Sequence, residues 1–69
     1  MEISARNSLK GTIKKVIPGS INTEITLEIA PRIEVVSIVT KSSSERLNLS
    51  EGKTAYAIVK ASEVMLATD

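Results

Sequence analysis

Apolar and polar residues alternate with a period of two along most of this chain, the spacing of half-buried strands. The stretch "LKGTIKKVI" sets Leu9, Gly11, Ile13 and Lys15 on one face and Lys10, Thr12, Lys14 and Val16 on the other. The apolar side therefore switches face near Lys15. "PGS" at residues 18–20 turns the chain, since proline fixes one dihedral and glycine admits positive φ. "INTEITLEIA" alternates most cleanly, with Ile21, Thr23, Ile25, Leu27 and Ile29 against Asn22, Glu24, Thr26 and Glu28. The two runs together predict a hairpin. "APR" at residues 30–32 predicts a second turn, and the β-branched "IEVVSIVT" a third strand.

Beyond Thr40 the alternation stops. Ser42 and Glu45 have the spacing of a capping box, and a short helix is predicted over residues 42–47, with a bend near Gly52. "TAYAIVK" predicts a fourth strand, "ASEV" a turn with at most one helical turn, and "VMLAT" a closing strand. The expected fold is all-β: a small five- to six-stranded Greek-key barrel of the oligonucleotide/oligosaccharide-binding (OB) type, with one short helix after the third strand. Residues 1–69 are expected to form a single domain.

Size changes this picture by making the core marginal. A chain of 69 residues buries only about 60% of the surface that its unfolded form exposes. Disulfides, metals or partner subunits usually make up the difference. The sequence has no Cys and no His, so self-association is the route that remains. With one Tyr, no Phe and no Trp, the core must be built from Ile, Val, Leu and Ala. No apolar run approaches the roughly 20 residues that span a bilayer, and no signal-peptide pattern opens the chain. A cytoplasmic protein without membrane contact is expected.

Charge and chemistry exclude more than they select. The net charge of +1 and the single aromatic residue do not fit a nucleic-acid-binding barrel, which would show a basic face and stacking platforms. Without His or Cys the usual general base and thiol nucleophile are missing. Glu24 and Glu28 are better explained by a solvated strand face than by an acid/base pair, and the glycines are isolated. The chain is not expected to be an enzyme.

Hydrogen-bond donors, by contrast, gather near both ends. Ser4, Arg6 and Asn7 lie in "ISARN", and Lys60 and Ser62 in "VKASEV". Backbone amides of Ala61 and Ser62 at the start of a helical turn would suit an anion, and Thr40 adds a hydroxyl at the end of the third strand. Each has a bland counterpart. Arg6 fits a surface or interface cation, Lys60 a strand-end side chain, and Thr40 and Ser62 helix caps. Composition and spacing do not choose between them.

The stretch "ISARNSLKGTIKKV" resembles the opening of the molbindins, small Mop-type molybdenum-binding proteins, and of related domains in molybdate transport ATPases and molybdate-responsive repressors. The likeness continues through "LEI", "IVTKSSSERLNLSEGK" and "AIVKASEVMLATD" and so covers essentially the whole chain. It implies an OB-type domain that assembles as a homohexamer, a trimer of dimers, and binds molybdate or tungstate between subunits. Carried over, Ser4 and Arg6 would come from one subunit and Thr40, Lys60, Ala61 and Ser62 from its neighbour, with Asn7 supporting the first group. A second site near three-fold axes is placed, on the same resemblance, at the amides of Gly19, Ser20 and Ile21. The oxyanion is the bound ligand; no catalytic cofactor and no direct metal-cation ligand are expected.

Molybdate is a tetrahedral dianion whose oxygens only accept hydrogen bonds, so a donor-only site suits it. Charge-assisted bonds from Arg6 and Lys60 would be the strong ones. Neither "SARN" nor "KAS" holds the carboxylate acceptor that a protonated phosphate would need. The expected function is cytoplasmic storage or buffering of the anion; a chain of this size has no room for an ATPase or a DNA-binding segment. The alternatives are an OB-type nucleic-acid-binding module and a ligand-free structural oligomerisation domain.

Overall fold

The strand with the cleanest alternation is the one the fold buries most. In the computed structural model, which describes residues 1–69, four strands form: β1 (Asn7–Pro18), β2 (Asn22–Ala30), β3 (Ile33–Thr40) and β4 (Thr54–Val59). A short helix, α1 (Lys41–Arg46), lies between β3 and β4, and a single 3-10 turn at Ala61–Glu63 follows β4. The strands make one antiparallel sheet in the order β3-β2-β1-β4. Three strands follow one another by hairpins and the fourth returns beside the first, which is the Greek-key order. The expected all-β class, with its helix after the third strand, is what the chain adopts.

β2 lies between two neighbours, and Ile25 and Leu27 on its inner face are buried together with Ile13 of β1. Thr23 shares that face and is also buried, as the two-residue period requires. Val16, Val39, Leu49, Ala55 and Ala57 pack around these residues while staying half-buried. The buried apolar core is thus three side chains.

β1 belongs to two pairings at once. Its first half, from Asn7 to Thr12, pairs with β4, and its second half, from Thr12 to Pro18, pairs with β2. Gly11 sits at the handover. A Cβ there would run into the carbonyl oxygen of Glu28 and lie 2.9 Å from Cγ of Leu27, so only glycine lets β2 approach this closely. Two residues on, the β1–β2 register shifts between Ile13 and Lys15. This bulge is the physical form of the face change read near Lys15: an extra residue resets which side chains point inward.

Two expectations need correction. The helix begins one residue earlier than predicted, and its cap is Thr40, whose Oγ1 accepts from the Ser43 N–H at 3.1 Å. Ser42, read as the start of a capping box, lies inside the first turn. The strand count also differs: four strands form, not five or six. "VMLAT" does not close the sheet. Val64 leaves the 3-10 turn with extended backbone, and no strand follows it. β3 and β4 are the two edges of the sheet, and the last residues pair with neither. Met65 and Leu66 are 93% and 92% exposed, which is costly for large apolar side chains.

Candidate oxyanion site

The β1–β4 register builds the site. Asn7 pairs with Val59, so the residues just before β1 and just after β4 arrive at one corner of the sheet. There they line a cavity of about 480 Å³. Ser4, Arg6, Lys60 and Ser62 contribute its polar groups, and Ile3, Ala5 and Ala61 its apolar wall. Asn7, the first residue of β1, is half-buried beside the cavity. It adjoins the lining without forming part of it.

The donors at this corner are free. The only ion pair of the chain joins Lys14 and Glu28 at 3.7 Å, so neither Arg6 nor Lys60 has a carboxylate partner. All side-chain hydrogen bonds gather around Thr40, which leaves the hydroxyls of Ser4 and Ser62 without protein partners. In the 3-10 turn the first bond is donated by the Glu63 N–H to the Lys60 carbonyl, at 2.8 Å. The amides of Ala61 and Ser62 precede it and stay unbonded, as the first N–H groups of any helical turn do. Two cations, two hydroxyls and two amides converge, and no carboxylate lines the cavity. Such a set favours a fully deprotonated anion.

Ser4 and Arg6 meet Lys60, Ala61 and Ser62 within one chain, because antiparallel pairing brings the start of β1 to the end of β4. Thr40 does not come to this corner. It pairs with Asn22, next to the pairing of Thr23 with Pro18 at the far end of β1. Its hydroxyl is engaged there, accepting from the Ser43 N–H and donating to Ser43 Oγ at 2.8 Å. Within one chain, Thr40 caps α1.

Residues 19–21 form the exposed turn between β1 and β2. The Gly19 amide donates to the Asn22 carbonyl at 2.8 Å and is not open to a ligand, while those of Ser20 and Ile21 make no backbone bond. The Ile21 carbonyl accepts from the Lys41 N–H at 2.8 Å, which ties this turn to the start of α1. The polar residues of the main cavity were visible in the sequence; Ile3 and Ala5 were not singled out. Apolar wall residues look like ordinary strand positions, and only their place on either side of Ser4 hinted at a shared surface.

A second concavity is apolar. It holds about 540 Å³ between the sheet edges, with Val35 and Val39 of β3 on one side and Ala55 and Ala57 of β4 on the other. Ile13 and Leu27 lie at its floor. The core is thus open along the gap between β3 and β4.

Comparison with known proteins places this geometry among relatives. Residues 3–66 match the TOBE domain model. The chain is 41% identical, over the full length of both, to a probable molybdenum-pterin-binding protein of Haemophilus influenzae. It is 39% identical to the molybdenum transport protein ModE of Herbaspirillum seropedicae, but spans only 26% of that protein's length. Among solved structures, MopII of Clostridium pasteurianum superposes with a TM-score of 0.91 at 39% identity, covering 97% of this chain and 100% of that one. A molybdate-bound form of ModG, described as a cytoplasmic molybdate-binding protein, gives 0.83 at 41% identity, covering 88% of this chain and 43% of that one.

Proposed function

The chain belongs to the TOBE-domain family, alongside the Mop-type molybdenum-pterin-binding proteins, and from that membership we propose that it binds molybdate or tungstate at the corner where Arg6 meets Lys60. The observation that carries the reading is the donor set itself: two unpaired cations, two free hydroxyls and no carboxylate around one cavity. A tetrahedral dianion would accept from Arg6 and Lys60 through charge-assisted bonds. Ser4, Ser62 and the amides of Ala61 and Ser62 would supply the neutral donors. Asn7 supports the segment that presents Ser4 and Arg6. Thr40 acts, in this reading, as the cap of α1.

The role is storage or buffering of the anion in the cytoplasm, by binding and not by catalysis. The active form is a homo-oligomer, which the resemblance implies is a hexamer built as a trimer of dimers. Two features of the single chain support self-association: an apolar groove open between β3 and β4, and an extended tail with Met65 and Leu66 in solvent. The tail of a second copy is the occupant whose chemistry fits that groove. A neighbouring copy would also close the solvent side of the anion cavity, which remains the inter-subunit element of the proposal. The amides of Ser20 and Ile21 are the donors available for a second anion where copies meet.

Equilibrium binding of molybdate, with Arg6→Ala as the paired variant, tests the function and the site separately. Wild type should bind, and the variant should bind about ten- to a hundredfold more weakly, as loss of a hydrogen bond to a charged group implies. A wild type silent at millimolar molybdate would overturn the function. A variant as tight as wild type would overturn the site.

A further inference from the structure

Donors alone do not tell molybdate from sulfate. Both are tetrahedral dianions at neutral pH, both only accept hydrogen bonds, and Arg6 and Lys60 attract them equally. The cavity has a second chemical feature. Ile3, Ala5 and Ala61 form a wall that offers an anion no hydrogen bond from a side chain. Taking an ion out of water costs free energy that rises with charge squared over radius, and only polar partners or retained water offset it. Ile3 and Ala5 supply no polar side-chain partner, and the one donor along this wall is the Ala61 backbone amide. The smaller, more strongly hydrated sulfate therefore loses more against such a wall than a larger metal oxyanion of the same charge.

Resting on the proposed anion site, we infer that Ile3, backed by Ala5, is a specificity-determining residue that rejects sulfate by denying it side-chain compensation for lost water. Selection then follows hydration as well as size. Ile3 is the adjustable member of the wall, because it is the largest of the three and stands at the rim, 54% exposed. It also lies outside the sheet, so exchanging it disturbs no strand pairing.

Valine and threonine have nearly the same shape and differ by a methyl against a hydroxyl, so a pair of variants separates hydration from size. Molybdate and sulfate affinities would be measured by titration calorimetry on wild type, Ile3→Val and Ile3→Thr, all in their assembled form. The preference for molybdate over sulfate should hold within about twofold in Ile3→Val and shrink by about tenfold in Ile3→Thr, the scale of one gained polar contact in a pocket. Equal preferences in the two variants, whether both kept or both reduced, would overturn the inference, as would a wild type that binds the two anions alike. A wild type that binds molybdate poorly would instead overturn the proposed function beneath it.

Discussion

Thr40 shows how a single side chain can satisfy two readings until its hydrogen bonds are counted. From the sequence, a threonine at the end of a strand and the start of a helix serves either as a cap or as an anion donor. In the fold its oxygen accepts from the Ser43 amide and its proton goes to Ser43 Oγ. Thr40→Ala should therefore lower stability by about 1 kcal/mol, the usual cost of a lost cap, while molybdate affinity stays within about twofold of wild type. Denaturant unfolding and calorimetry at one protomer concentration check both halves. A fall in affinity as large as that of Arg6→Ala would place Thr40 against an anion held by another copy. Arg6, Ser4 and Lys60 stand out as donors because charged and hydroxyl groups interrupt an apolar pattern, and the family resemblance joins them into one candidate site. Ile3 and Ala5 do not, because an apolar wall and an apolar core follow the same alternation.

At the scale of elements, the candidate site is two short segments outside the sheet, held by a register inside it. Residues 3–6 have no regular structure, and Ala61–Glu63 is one 3-10 turn. Both are the kind of segment that opens locally at little free-energy cost. An anion bridging them should slow amide hydrogen exchange at residues 4–6 and 61–63 while leaving β2 unchanged, which exchange measured with and without molybdate would show. Protection centred on residues 19–21 would instead mark the β1–β2 turn as the principal site. Strands β1 and β2 could be read from alternation because each has a buried face to encode, and β3 from its β-branched content, while β3 and β4 are only half-buried on their inner side. The closing strand was over-read for the same reason. "VMLAT" carries the apolar content of a strand, but a strand also needs an unpaired edge within reach, and periodicity says nothing about edges.

For the molecule as a whole, the decisive quantity is how little of it is buried. Three apolar side chains are buried, while Ile21, Val36, Ile38, Met65 and Leu66 remain in solvent. Large exposed apolar surface on a small domain signals a partner surface. Removing residues 64–69 should lower the oligomeric mass, measured by light scattering at matched concentration, and lower the melting temperature with it, because subunit binding contributes to stability by mass action. An unchanged mass would transfer the interface to the outer sheet face around Val36 and Ile38. The absence of Cys and His pointed towards assembly, but which surface is used depends on where the sheet stops, and that emerges only in three dimensions.

The meeting of Arg6 with Lys60 has one more consequence. These residues are about fifty positions apart in sequence, so an anion held between them acts as a removable cross-link across nearly the entire chain. A disulfide in that position would restrict the unfolded chain permanently. The ionic staple instead leaves the unfolded chain untouched, because dispersed donors cannot hold the ion, and it adds stability only while the ligand is present. At a hundred times the dissociation constant the gain is about 2.7 kcal/mol per site. For a domain with so small a core, that is a substantial share of its stability. The melting temperature should therefore climb with the logarithm of molybdate concentration in wild type and begin to climb only at about ten- to a hundredfold higher concentration in Arg6→Ala, making the chain's own persistence a readout of how much oxyanion surrounds it.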